Sequence, residues 1–236
     1  MTVAIIIAGG VGSRMGADIP KQFVKVNGKP VLLYTLEAFQ KHVLVDAIEL
    51  VLIEGWEEEV EAWKGQYGIE KLKWIVKGGA SGQESIRNGV FGLEGKCAAD
   101  DIVTIHDGIR PLVEPEVLDD VIAKAKEFGT GVTSMPYNEQ IFLVDEKDPT
   151  ITRKYIPRET LRRVATPQAY RFDLLDQAYH EAFEKKIGIY GSSYTNTMMT
   201  ELGHELHFAA GSDKNLKLTT PGDLEIFKAY LASHQC

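Results

Sequence analysis

Residues 8–23 read AGGVGSRMGADIPKQF, and this segment concentrates the groups most suited to chemistry. A short, continuous apolar run, Val3–Ala8, enters it, which predicts a buried parallel strand feeding a loop that holds Gly9, Gly10, Gly12 and Gly16. Glycine lets a ligand approach the main chain closely, and free backbone N–H groups suit phosphate oxygens. The same loop carries Arg14 and Lys21. A nucleoside triphosphate brings roughly four negative charges, which must be matched if they are buried. Arginine can grip phosphate bidentately and lysine supplies a compact charge. The plainer alternative is a tight strand-to-helix turn with two solvated cations; finding both cations on one glycine loop favours phosphate.

Other chemistries fit less well. The dinucleotide fingerprint G-x-G-x-x-G fails because Gly10-x-Gly12-x-x-x-Gly16 is one residue too long. The P-loop fails because Gly28-Lys29 is followed by Pro30 and Phe23 stands where the first glycine belongs. Gly79-Ala80-Ser81-Gly82-Gln83 lacks the last glycine of a nucleophile elbow, and His204-Glu205-Leu206-His207 is not H-E-x-x-H. Cys97 and Cys236 stand far apart, so neither a disulfide framework nor a paired metal-ligand spacing is present, which fits a reducing compartment. Asp107 ends an apolar run, Asp101–Ile105, at a strand end where open α/β sheets bind ligands. An aspartate there suits Mg²⁺, which takes few carboxylates together with phosphate oxygens and water, or it caps the next turn. Arg110 is expected to orient that loop through a salt bridge to Asp107.

These residues need a scaffold, and the pattern supplies one. Strands are predicted at Val3–Ala8, Ala47–Ile53, Lys73–Val76, Asp101–Ile105 and Gly131–Met135. Helices alternate with them: one opened by Pro30, then Trp56–Tyr67, one introduced by the Ser81/Glu84 capping box, and one opened by Pro115. Such alternation predicts an α/β fold with a Rossmann-like, mostly parallel sheet covered by helices on both faces. Ile141–Val144 and Thr152–Ile156 read as a short hairpin amid basic residues, either a surface feature or an arm that crosses to a partner in a dimer. A helix resumes at Phe172–Phe183, a last strand is predicted at Leu216–Leu218, and Thr220-Pro221-Gly222-Asp223 opens a final helix.

The chain has 236 residues, 44% of them hydrophobic and 25% charged, with a net charge of −8. That is globular composition, with no interdomain linker, and it is read as one domain over residues 1–236 with an arm at about 136–165. The acidic balance argues against a nucleic-acid binder, no run is long enough to span a bilayer, and the first residues lack a signal pattern, so a cytoplasmic location is expected.

AGGVGSRMG…PKQF with GKPVLLYTLEAF resembles the nucleotidyltransferases that make CDP-activated polyols, the 2-C-methyl-D-erythritol 4-phosphate and ribitol-5-phosphate cytidylyltransferases. The resemblance continues in order through Gly78–Val90 (GGxxxxxSIRNGV), His106–Pro111 (HDGIRP), Ala165–Tyr170 (ATPQAY) and Asn215–Leu224 (NLKLTTPGDL), nearly the whole chain. It implies a fold of the nucleotide-diphospho-sugar transferase type, CTP and a polyol phosphate as substrates, Mg²⁺ as cofactor, and a homodimer joined through the arm. It implies catalytic roles for Arg14, Lys21 and Lys217, and nucleotide contacts from Ala8, Gly9, Gly10, Gly12, Gly79, Ser85 and Asp107. It also implies acceptor-phosphate contacts from Arg158 and Thr166, and metal contacts from Asp107 and Asp213. From the residues alone, Lys217 reads as a strand-edge lysine in water and Ser85 as a hydroxyl bonded to its own helix. The chain departs from the pattern at Gly82, where an arginine is usual. It departs again at Pro136–Gln140, which lacks the usual threonine, and at Thr195-Asn196, where Thr-Asp or Ser-Asp is usual. These departures surround the nucleotide loop and acceptor pocket and leave the identity of the acceptor open. A sugar-1-phosphate nucleotidyltransferase and a non-catalytic binding protein on the same fold are the competing readings.

Overall fold

The computed structural model describes residues 1–10, 19–191 and 194–234. The elements in chain order begin with β1 (Thr2–Ala8), β2 (Lys25–Val26), β3 (Lys29–Pro30), α1 (Val31–Lys41), β4 (Ala47–Leu52), α2 (Glu57–Tyr67), β5 (Leu72–Lys77), α3 (Gly82–Gly92) and β6 (Ile102–Asp107). They continue with α4 (Pro115–Phe128), β7 (Thr130–Pro136), β8 (Ile141–Val144), β9 (Thr152–Ile156), β10 (Arg162–Arg171), α5 (Phe172–Lys185), α6 (Thr195–Glu201), β11 (Phe208–Ala210) and α7 (Pro221–Ser233).

Seven strands form one sheet in the order β11-β7-β10-β6-β1-β4-β5. β1 pairs in parallel with β4 and β6, while β10 runs antiparallel between β6 and β7. Side chains alternate across β1 as a pleat requires. Val3 and Ile5 pack with Ile86, Val90, Leu175 and Tyr179 of α3 and α5. Ala4 and Ile6 pack with Leu32, Leu36 and Phe39 of α1. Both faces of β1 are thus covered, which explains why its sequence is an unbroken apolar run rather than an alternating one.

The predicted strands and helices before residue 160 form close to the expected places. The Ser81/Glu84 capping box is present in both directions, and Thr220 with Asp223 forms a second one at the start of α7. β8 and β9 pair as a separate antiparallel ribbon that leaves Phe142, Val144 and Tyr155 exposed. The strand predicted at Leu216–Leu218 does not form. Leu218 instead packs with Val26, Ile109 and Phe227, and its N–H bonds the Ile109 carbonyl, so the segment folds over the loop after β6. The sheet is extended by β11, which pairs in parallel with β7.

One group in the sheet is costly. The Glu49 side chain on β4 is fully buried, and neither carboxylate oxygen meets a hydrogen-bond donor among the described residues. Lys96 Nζ stands 3.7 Å away. A methyl group on Gly92 would come within 2.9 Å of the carboxylate, so this glycine makes room for it. Burial pushes the Glu49 carboxyl up to about 7, against the pull of Lys96. An unfolded glutamate ionises near 4.5, so its contribution to stability is fully present below that pH. It is lost as the pH rises through about 7. Between pH 5 and pH 8 this group is expected to remove about 2 kcal/mol of unfolding free energy. Glu49→Gln should flatten that part of the profile, as read by urea unfolding at the two pH values. Parallel profiles for the two proteins would contradict the assignment.

Candidate functional site

The site lies at the carboxyl ends of β1, β5 and β6. Gly9 and Gly78, just beyond β1 and β5, are in main-chain contact: a Cβ on Gly78 would sit 3.0 Å from the Gly9 Cα. Gly79 has even less room, since a Cβ there would stand 2.3 Å from the Glu84 Cβ. Ser85, in the first turns of α3, closes this corner. Its hydroxyl donates to the Ser81 carbonyl at 2.9 Å and accepts the Gly79 N–H at 3.0 Å. Its one proton is therefore spent, and it offers a ligand only a lone pair. Gly9, Gly10, Gly79 and Ser85 line a common cavity of about 560 Å³.

The sequence reading missed Gln22. It is 2% exposed, and its Nε2 donates to the carbonyls of Ala8 at 2.8 Å and Gly10 at 2.9 Å. Two carbonyls tied back in this way fix the main chain where strand turns to loop. Next to it, Phe23 is buried against Trp56, with ring centroids 3.8 Å apart. A buried amide within PKQF was the available signal. Lys21 opens the same 3-10 turn, Lys21–Phe23. Gly12 and Arg14 lie outside the described residues.

Beyond β6 the adjoining Arg110 loop and two segments distant in sequence converge on Asp107. Arg110 Nε donates to Asp107 Oδ2 at 2.9 Å, and Lys217 Nζ stands 3.1 Å from the same oxygen. The Thr166 hydroxyl accepts the Asp107 N–H at 3.1 Å. Asn215 Nδ2 donates to the Thr166 carbonyl at 2.7 Å, and Arg110 Nη1 donates to the Asn215 carbonyl at 2.8 Å. Burial alone would raise the Asp107 carboxyl, but Lys217 and Arg110 pull it down to about 2. It is therefore an anion at any physiological pH. His106 is the opposite case: burial pushes it down to about 4, so it is neutral. Its Nε2–H donates to the Arg110 carbonyl at 3.0 Å, which steadies the same loop.

Asp107 and Thr166 line two adjoining cavities. One, of about 410 Å³, also takes in Lys217, Tyr194 and Gly82, and Gly82 is shared with the glycine corner. The other, of about 210 Å³, is lined by Arg110, Gln168, Asn196 and Thr197 as well. A polyanion lying along the glycine corner would thus reach Lys217, and a second molecule could approach it past Thr166.

The structure places two expected residues elsewhere. Asp213 lines neither cavity around Asp107; it is exposed and paired with Arg163. Lys217, expected at a strand edge, reaches Asp107 from a segment that forms no strand. Arg158 sits in a 3-10 turn at the base of the β8–β9 ribbon, exposed, and within one chain it does not join Asp107 and Thr166. The Asp107 carboxylate fits Mg²⁺ on its own chemistry. It stays ionised, and with Oδ2 held by Arg110 and Lys217 a magnesium ion would be met at Oδ1, together with phosphate oxygens and water.

Comparison with known proteins supplies an independent view. The profile of the 2-C-methyl-D-erythritol 4-phosphate cytidylyltransferase (IspD) family matches residues 2–233. A ribitol-5-phosphate cytidylyltransferase from Lacticaseibacillus paracasei is 57% identical over 98% of both chains. A 2-C-methyl-D-erythritol 4-phosphate cytidylyltransferase from Geobacter metallireducens is 35% identical over 97% of this chain and 96% of its own. Among solved structures, 2-C-methyl-D-erythritol 4-phosphate cytidylyltransferase (IspD) from Francisella tularensis superposes with a TM-score of 0.80 at 26% identity, covering 97% of this chain and 98% of the other.

The glycine corner makes a direct test of the packing. Gly79→Ala is expected to cost about 1–3 kcal/mol, because the new methyl group meets Glu84. Gly65→Ala, in α2 with open space around it, should instead stabilise by about 0.5–1 kcal/mol. Urea unfolding reads both, and equal effects would contradict the close approach of the two loops.

Proposed function

Because the chain belongs to the 2-C-methyl-D-erythritol 4-phosphate cytidylyltransferase (IspD) family, it is a cytidylyltransferase that moves a cytidylyl group from CTP to a polyol phosphate, and we propose that ribitol 5-phosphate is that acceptor. The observation that carries this reading is the convergence of Arg110, Lys217 and Thr166 on Asp107 between two adjoining cavities. The 57% identity to a ribitol-5-phosphate cytidylyltransferase and the polar lining of the smaller cavity support the choice of acceptor.

CTP would lie with its cytosine against Gly78–Ser85 and its phosphates along Gly9, Gly10 and Lys21, with Arg14 as a further cation. The acceptor would enter past Thr166. An acceptor phosphate oxygen attacks the α-phosphorus in line, the bond to the β-phosphate breaks, and pyrophosphate leaves with the electron pair. The products are CDP-ribitol and pyrophosphate. Both reactants are anions, so the barrier is repulsion and alignment rather than proton transfer. A phosphate monoester is already largely ionised near neutral pH, so no side chain need act as base. Lys217 and Lys21 would stabilise the charge that builds on the α-phosphate and the leaving group. Arg110 would keep Asp107 ionised and in place. Magnesium, when bound, would be held by Asp107 together with phosphate oxygens and would supply positive charge against the phosphates.

The β8–β9 ribbon would serve as the arm of a homodimer. Its exposed Phe142, Val144 and Tyr155 suit burial against a second copy, and Arg158 at its base would reach the acceptor phosphate there. No described helix is long and apolar enough to cross a membrane.

Pyrophosphate release with Mg²⁺, each of four nucleotide triphosphates and a panel of ribitol 5-phosphate, 2-C-methyl-D-erythritol 4-phosphate and glucose 1-phosphate tests the assignment. CTP with ribitol 5-phosphate is expected to give the highest kcat/KM. Preference for glucose 1-phosphate would overturn it. Lys21→Ala should lower kcat/KM by about 100-fold. Near-normal turnover would remove Lys21 from the mechanism.

A further inference from the structure

The smaller cavity beside Asp107 contains a polar group that the transfer itself does not use. Asn196, 8% exposed, stands on its wall. Its Oδ1 accepts the Thr197 N–H at 2.9 Å. That bond distinguishes the two ends of the amide and leaves Nδ2 as the end available to a ligand. Among the described residues no acceptor meets it.

The position of this amide is held by a buried network. Thr195 Oγ1 lies 2.8 Å from the Tyr179 hydroxyl, which donates to Gln83 Oε1 at 3.2 Å. Gln83 Nε2 in turn donates to the carbonyls of Gly188 at 2.9 Å and Tyr194 at 3.3 Å. Tyr179, Gln83 and Thr195 are each at most 1% exposed. The start of α6 is therefore tied to α3 and α5, and Asn196 is fixed relative to the corner that holds Ser85.

We propose that Asn196 is a specificity-determining residue. Its amide donates to a hydroxyl of the acceptor and thereby selects the longer, unbranched polyol phosphate, whose chain carries one more free hydroxyl, over the shorter methyl-branched one. The inference rests on the acceptor site assigned above. The nearby cations, Arg110 and Lys217, are already engaged by Asp107, so the amide adds a neutral donor to this wall of the cavity. The shorter acceptor lacks one of these hydroxyls and would leave the enclosed N–H₂ without a partner, and sites built to bond a hydroxyl reject analogues lacking it for this reason. Tyr179 acts as a positioning residue through Thr195.

The test compares kcat/KM for ribitol 5-phosphate and 2-C-methyl-D-erythritol 4-phosphate in the wild type, Asn196→Leu, Asn196→Ala and Tyr179→Phe. Wild-type turnover in this panel checks the acceptor assignment separately. Both Asn196 variants are expected to reduce the ratio of unbranched to branched acceptor at least about tenfold, through a raised acceptor KM, with the KM for CTP changed less than about twofold. Tyr179→Phe should shift the ratio the same way by a smaller factor. An unchanged ratio in either folded Asn196 variant overturns the proposal, as does a wild type that prefers the branched acceptor.

Discussion

The architecture of the site depends on one ionised carboxylate. Asp107 sits at the end of β6, largely enclosed, with a guanidinium and an ammonium on the same oxygen. Removing one partner from a buried ion pair is far more disruptive than replacing the pair as a whole, because it leaves an uncompensated charge. Here the carboxylate meets the neighbouring Arg110 and the remote Lys217, and the main-chain N–H of the same residue meets the Thr166 hydroxyl, so Asp107 holds together segments that are remote in sequence. Asn215 adds the cross-links that keep the three segments in register. One carboxylate against two cations also leaves the corner with an excess positive charge, which favours the approach of phosphate.

The rest of the molecule places this corner next to the glycine loop. β1 and β6 are adjacent and parallel, so their carboxyl ends open onto the same edge. The contact between Gly9 and Gly78 brings the β5 loop against the β1 loop, and Gly82 lines cavities on both sides. A nucleotide and an acceptor can therefore meet without any large movement of the sheet. In a transfer between two anions this preorganisation is what the protein contributes: charge already in position and reactants already aligned.

Much of this was legible from residue patterns, and the reasons are specific. Val3–Ala8 read as a buried strand because both of its faces are covered, and the capping boxes at Ser81 and Thr220 are local signals that tertiary structure leaves intact. The pairing of Arg110 with Asp107 followed from their closeness in the chain. What escaped depends on contacts distant in sequence. β10 contains Pro167 and a run of arginines, and it becomes a strand because β6 and β7 flank it. Leu216–Leu218 has the apolar content of a strand but spends it on Val26, Ile109 and Phe227. From the residues alone Lys217 read as a solvated lysine; only the resemblance gave it a place at the site, and the structure sets it beside Asp107. Gln83 and Tyr179 gave no signal because a buried amide or phenol declares itself only through its partners, and for Gln22 only its place within PKQF hinted at a role.

The central claim is that the Asp107 corner and the glycine corner together hold CTP with its α-phosphate beside Lys217. A crystal structure of the protein with a non-hydrolysable CTP analogue, magnesium and ribitol 5-phosphate addresses this most directly. The account predicts cytosine against Gly79 and Ser85, the α-phosphate within hydrogen-bond reach of Lys217, and the acceptor phosphate next to Thr166. A nucleotide bound elsewhere, or one whose α-phosphate lies away from Lys217 and Asp107, would contradict it.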